Sequence, residues 1–149
     1  MTSFKLNLCE AKTDKDILDC YPLIKEVLIP YLNLDEQTFL YRIRRQREYR
    51  KFRLMFIRDE NENIDAILGF RVEQYLKTGF TLIIDNMATS ARARGKGLGH
   101  FLMEWAINYA KGLNCEEISL NSQYMRTEGH RFYLNHNFVL DGHKFVRDI

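Results

Sequence analysis

The chain lacks any apolar run approaching a membrane span, and it lacks an excess of either charge, with 22 Lys+Arg against 20 Asp+Glu for a net +2 at neutral pH. The first absence argues against a transmembrane helix. The second argues against a protein that holds nucleic acid by bulk charge. Cysteine is scarce and odd in number: Cys9, Cys20 and Cys115 show no metal-ligand spacing. That suits reduced thiols in a cytosolic protein and implies no metal site. The amino terminus, Met1 to Lys12, is too polar for a signal peptide, so a cytoplasmic location is expected. No linker, repeat or low-complexity segment interrupts the chain. What is present is 149 residues, 46% of them hydrophobic and ten of them Phe, enough for one ordinary domain with a core.

The most informative stretch runs from Phe80 to Ala106, where an apolar strand meets a basic glycine-rich turn and then an amphipathic helix. A helix N-terminus leaves backbone N–H groups without intrahelical partners and carries partial positive charge, so a turn ending there can hold an anion. Gly95, Gly97 and Gly99 let a ligand approach the backbone without meeting a Cβ atom. Arg92, Arg94 and Lys96 add charge, Arg being suited to bidentate phosphate contacts. A phosphate ester is the expected ligand. Spacing removes two phosphate loops: the Walker pattern is absent, and Gly95-x-Gly97-x-Gly99 is not a Rossmann fingerprint. The plain alternative is a cationic strand-to-helix turn that binds nothing.

Along the rest of the chain, alternation predicts a strand over 4–9. A helix follows, capped by Thr13, with Asp14 and Asp16 in its first turn and Pro22 kinking or splitting it. After Pro30 a second helix is expected from near Asp35 to about Arg50. Strands over 51–58 and 64–76 join through the polar turn Asp59 to Asn63, and Lys77 to Gly79 turns into the strand from Phe80, an antiparallel meander. The helix from Leu98 should end near Gly112. A strand around 116–121, parallel to the one from Phe80 by a right-handed crossover, and a helix over 127–136 complete the pattern. The tail holds an Asp141-Gly142 hairpin turn. The class is mixed α/β.

Arg92-x-x-Gly95-x-Gly97 resembles the pyrophosphate-binding motif of the GNAT superfamily of acetyl-CoA-dependent N-acetyltransferases. The element order resembles the whole GNAT acyl-CoA N-acyltransferase fold. That implies a single domain over 1–149 with a central, mostly antiparallel sheet flanked by helices. Downstream, Gly129 to Phe138 is similar to the family's Ala-x-x-x-Tyr-x-x-x-Gly-Phe segment, with Gly129 in place of Ala and Asn137 in place of Gly. Asn can adopt a left-handed conformation, so the turn geometry can survive. Arg126 stands where the family often has Asn, seven residues before the Tyr.

The resemblance implies acetyl-CoA as cosubstrate, with Arg92, Arg94, Gly95, Lys96, Gly97, Leu98 and Gly99 around the pyrophosphate and Met87, Ala88 and Thr89 along the pantetheine arm. The Met87 backbone N–H would face the thioester oxygen and stabilise its developing charge. An amine of pKa about 10.4 is only roughly 0.04% neutral at pH 7, so a base is needed. Asp85, at the end of the strand, is the best-placed carboxylate, directly or through water; its alternative is a polar residue at a bulge. Tyr133 matches the family's general acid, and its alternative is a core aromatic. The segment from Leu120 to Tyr133 is similar to aminoalkylphosphonate and related small-amine acetyltransferases, which would place Ser122, Arg126 and His130 near the acceptor. A structural role is the alternative for His130, and His100, His136 and His143 are expected at the surface or in turns. No Cys stands where a covalent acetyl-enzyme requires one, so direct attack in a ternary complex is expected.

One further stretch, Tyr41 to Arg53, concentrates cations. It either recruits an anionic acceptor, an acidic peptide or the 3′-phosphate of coenzyme A, or is a solvated helix face whose charges offset acids elsewhere. Nucleic acid is not an expected partner, since Tyr41 and Tyr49 are thin support for base stacking. The reading is a cytoplasmic acetyltransferase, with acetyl-CoA and a small primary amine as partners. Its alternatives are a protein or peptide N-acetyltransferase and a non-catalytic coenzyme A-binding module. A homodimer is left open.

Overall fold

A computed structural model describes residues 6–27, 33–122 and 125–149, which form two compact units meeting between Ser119 and Leu120. The first unit holds β1 (Leu8–Glu10), α1 (Asp14–Val27), α2 (Glu36–Arg50), β2 (Arg53–Arg58), β3 (Ile64–Tyr75), β4 (Gly79–Thr89), a single 3-10 turn (Ala91–Ala93), α3 (Leu98–Gly112) and β5 (Glu117–Leu120), whose last residue opens the second unit. The sheet order is β1-β2-β3-β4-β5, and the first three pairings are antiparallel. The first residues of the strand expected over 4–9, and Pro30, lie outside the described residues.

Local chemistry explains the helix boundaries. The Thr13 hydroxyl accepts from the Asp16 N–H at 3.1 Å while the Asp16 carboxylate accepts from the Thr13 N–H at 3.1 Å, a reciprocal cap. Asp35 caps α2 through the Thr38 N–H at 2.7 Å, and Lys51 closes it in the left-handed region at φ 51°. Contrary to one expectation, α1 does not split at Pro22. Pro22 lies on the exposed side of the helix, where water can satisfy the carbonyl that its missing N–H leaves behind.

Alternation on β2 and β3 divides the first unit's core into two layers. Leu54, Phe56 and Ile67 point to the side where Ile17, Leu23 and Ile24 of α1 and Phe39, Leu40 and Ile43 of α2 are buried. On the other side Phe70 meets Trp105 and Tyr109 of α3 edge-on, with ring centroids 5.6 and 5.3 Å away. Only the first half of α2 is buried. Its basic second half is drawn onto acids of other elements: Arg44 bonds Asp14, Arg50 bonds Glu73, and Arg53 just beyond the helix bonds Glu10.

The second unit contains α4 (Thr127–Asn135), which has no buried residue. Asn137 ends it at φ 65°, the left-handed conformation that glycine supplies elsewhere in the family segment. The expected Asp141-Gly142 hairpin does not form, and residues 138–149 carry no strand. Val139, Leu140, Phe145 and Val146 are exposed, and a two-stranded hairpin without a packed face is marginal in water.

Candidate active site

Two features of β4 build the site. The first is a bulge. Gly69 of β3 faces Asn86 and Phe70 faces Ile84, which leaves Asp85 as the extra residue of β4. Such an insertion re-aims the side chain it displaces. The partner position is tight: a Cβ on Gly69 would come within 2.6 Å of Phe52 Cζ and 3.0 Å of Asn86 Oδ1. Glycine is therefore what lets the Phe52 ring lie over the bulge.

Asp85 opens into a pocket of about 310 Å³, lined also by Gln46 and Arg50 of α2, Phe52, Arg71 of β3 and Asn86. Arg71 Nε donates to the Asp85 carboxylate at 3.0 Å and Arg71 Nη1 to Glu73 at 2.5 Å. Withdrawal from bulk water pushes the Asp85 carboxyl above its ordinary range, with Arg71 opposing that shift. Arg71 and Glu73 were not among the sequence candidates. Their signal was available, since Arg71 and Glu73 at i and i+2 share one face of a strand whose preceding run, Ala66 to Phe70, is free of charge.

The second feature is the turn that β4 feeds. Met87, Ala88 and Thr89 are paired with Leu68, Ile67 and Ala66 of β3, so the strand is held in register up to the turn. Gly95 and Gly97 both sit at φ 80°, where a side chain is strained. A Cβ on either would meet nothing within 4 Å, so packing does not demand glycine there. Gly97 is the N-cap of α3 and supplies no side-chain cap, while Arg94, Lys96 and Gly95 are exposed. An open, cationic, uncapped helix start fits a pyrophosphate group. Leu98 is buried, anchoring the first turn of α3 from beneath.

Arg92 is placed differently from its two cationic neighbours. Its Nε donates to the Asp65 carboxylate at 2.8 Å and its Nη2 to the Ile64 carbonyl at 3.0 Å. Asp65 is 7% exposed and also accepts from the Ser90 hydroxyl at 3.1 Å, while its carbonyl accepts the Ser90 N–H at 2.8 Å. The Arg92 guanidinium thus fastens the start of the turn to β3. Glu26 of α1 helps by accepting the Ala91 N–H at 3.2 Å. Neither Asp65 nor Glu26 was legible as a site residue, because nothing local in the sequence pairs it with the turn.

In the second unit, Tyr133 Cε2, Ser122 Oγ and Arg126 Cβ lie 3.7, 3.8 and 3.9 Å from the position a Gly129 Cβ would take. Three of the predicted residues are therefore neighbours around a glycine that leaves them room. His130 lies one residue further along α4, half-buried. The Tyr133 ring stands edge-on to Phe132 and Phe138, and burial pushes its phenol up, so it stays protonated through neutral pH. Cys20 is buried in the core and pushed up to about 12, and burial also raises Cys115, so neither is an activated thiolate.

With this geometry in view, comparison with known proteins is decisive for the family. The family model described as "Acetyltransferase (GNAT) family" matches residues 17–138. The chain belongs to the GNAT family. Its enzyme class is N-acetyltransferase. An uncharacterized N-acetyltransferase of Bacillus subtilis, YhdJ, is 25% identical over 145 residues, covering 97% of this chain and 99% of that one. A Bacillus halodurans protein whose structure is described as that of a transcriptional regulator superposes with a TM-score of 0.82 at 23% identity, over 97% of this chain and 99% of its own. Glucosamine-6-phosphate N-acetyltransferase of Arabidopsis thaliana superposes at 0.74 with 18% identity, over 97% and 98%. At such identities the superpositions show the fold, and this GNAT chain shares it. Among the described residues no helix is long and apolar enough to cross a membrane.

Proposed function

We propose that the protein transfers the acetyl group of acetyl-CoA to the primary amine of a small molecule, by direct attack in a ternary complex. The observation that carries this is on β4, a single strand with a carboxylate displaced into a pocket and, at its end, an open glycine turn leading into α3. When bound, acetyl-CoA supplies an activated acetyl thioester. Arg94, Lys96 and the backbone of Gly95, Gly97, Leu98 and Gly99 would hold its pyrophosphate, with Arg92 positioning the turn from Asp65. Met87, Ala88 and Thr89 would lie along the pantetheine arm, the Met87 N–H stabilising charge on the acetyl oxygen. Asp85 accepts the proton of the amine, for which a raised carboxyl pKa is an advantage. By the family resemblance, Tyr133 would supply a proton to the leaving thiol, and Ser122, Arg126 and His130 would serve the acceptor. The pocket of about 310 Å³ beside Asp85 is where the acceptor amine would enter. The reaction belongs in the cytoplasm.

Calorimetric titration with coenzyme A and acetyl-CoA tests the reading, with the double change Gly95→Asp and Gly97→Asp as control. Micromolar binding by the natural protein, lost in the control, supports it. A folded protein that binds neither compound overturns it.

A further inference from the structure

The charges around the pocket form a continuous ladder. Arg50 Nη1 donates to both oxygens of Glu73, at 3.0 and 3.2 Å. Glu73 accepts from Arg71 at 2.5 Å, and Arg71 donates to Asp85 at 3.0 Å. Two guanidinium groups and two carboxylates alternate, so the ladder is formally neutral. Its inner members are held: the side chains of Arg71 and Glu73 are each 22% exposed and that of Asp85 28%. Its outer member, Arg50, is 60% exposed and lines the same pocket as Asp85. Both Arg50 bonds to Glu73 use one nitrogen, and a guanidinium has five N–H donors, so Arg50 can keep Glu73 and hold a second anion.

A neutral ladder discriminates by charge pattern. A simple alkylammonium ion at Asp85 would lie beside the Arg71 guanidinium, whose like charge opposes it. A simple anion would meet the Asp85 carboxylate. A molecule with one positive and one negative group can exchange partners with the ladder at no net change in charge, its ammonium group on Asp85 and its carboxylate on the guanidinium groups. Arg is the side chain suited to holding that carboxylate in a bidentate geometry.

Resting on the reading of this pocket as the acceptor site, we infer that the acceptor is an amino carboxylate, a small amine bearing a single carboxylate on the same molecule, with Arg50 as its specificity residue. The test uses the full chain and sets of ω-amino carboxylates, their carboxamides and plain alkylamines of matched length. Acetyl transfer is followed by thiol release, and binding to the coenzyme A-loaded protein by calorimetry. The carboxylates are expected to exceed the carboxamides and alkylamines by about tenfold or more in kcat/KM and in affinity, the loss of one charged contact. Arg50→Met should raise KM for the carboxylates about tenfold more than for the carboxamides and alkylamines, and Arg50→Lys should restore part of that difference; thermal denaturation checks that both variants fold. Equal use of a carboxylate and its carboxamide, or an equal loss for both in Arg50→Met, overturns the inference. Failure of the acetyltransferase reading looks different: coenzyme A does not bind at all. Titrating the same compounds into the free protein then still reads the pocket's preference, and no preference overturns the inference there too.

Discussion

Replacing Asp65 with Ala should loosen both the fold and the cofactor turn, and the size of the effect follows from its partners. Ser90 is 1% exposed, and its hydroxyl donates to the Asp65 carboxylate at 3.1 Å. Leaving a buried hydroxyl without that acceptor costs about 1–3 kcal/mol. The ion pair to Arg92 adds little, about 0–1 kcal/mol, because that side chain is 50% exposed and screened by water. The expected loss is about 1–4 kcal/mol, or about 2–16 °C in Tm for a chain of this length. The assay is urea and thermal denaturation without coenzyme A, run as a cycle with Ser90→Ala and the double variant. Once Ser90 has no hydroxyl, removing Asp65 should cost at least about 1 kcal/mol less. Coenzyme A affinity should fall in Asp65→Ala and recover in part in Asp65→Asn, which keeps an acceptor oxygen. Losses that add within about 0.5 kcal/mol, or an unchanged coenzyme A affinity, would refute the claim that Asp65 fastens the turn through these groups.

Gly69→Ala should destabilise by about 1–3 kcal/mol in urea, since its Cβ would come within 2.6 Å of the 2% exposed Phe52 ring; a neutral outcome would show that the ring can yield. Gly97→Ala meets no neighbour but is held at φ 80°, so a loss of about 1–2 kcal/mol is expected from backbone strain, with weaker coenzyme A binding by calorimetry. Tyr133→Phe should lower kcat about a hundredfold or more while coenzyme A affinity is kept; an unchanged kcat removes Tyr133 from the chemistry. A base acts only when ionised, so kcat at saturating substrates should fall on acidification with a midpoint above the ordinary aspartate value, as burial of Asp85 requires. Asp85→Asn should abolish that acid limb, and its persistence would point to another group.

Much of the fold was legible because its signals are local. The 3.6-residue period from Leu98 to Gly112 and the glycine at its start mark α3, and its observed limits are Leu98–Gly112. The polar turn from Asp59 to Asn63 separates β2 and β3 because the Asp59 carboxylate accepts from the N–H groups of Asn61 and Asn63, both at 2.8 Å, a pattern that residue types alone suggest. The tail was misread for the opposite reason. An Asp-Gly pair is a local hairpin signal, but strands need neighbours to bury a face, and no local pattern reports whether those exist. The basic run from Arg42 to Arg53 shows the same limit: its composition is visible, while the pairing of Arg44, Arg50 and Arg53 with Asp14, Glu73 and Glu10 is decided by chain segments 23 to 43 residues away.

The candidate site divides along that line. The residues of the turn follow one another in sequence, so a spacing rule found them, yet the same rule treated Arg92 as one phosphate-facing cation among three. In the structure its guanidinium also bonds Asp65, 27 residues earlier in the chain. A motif records which residues a turn contains, whereas the antiparallel register of β3 and β4 decides which of them are turned toward the protein. That register brings Ala66 opposite Thr89, and so carries Asp65 to the start of the turn. It also produces the bulge that releases Asp85 into the pocket, where Arg71 from the neighbouring strand already waits. The pocket carboxylate Asp85 and the anchor of the glycine turn are thus two results of one strand pairing. A change that slips the register at Gly69 should disturb both together, although neither residue touches the other's partners.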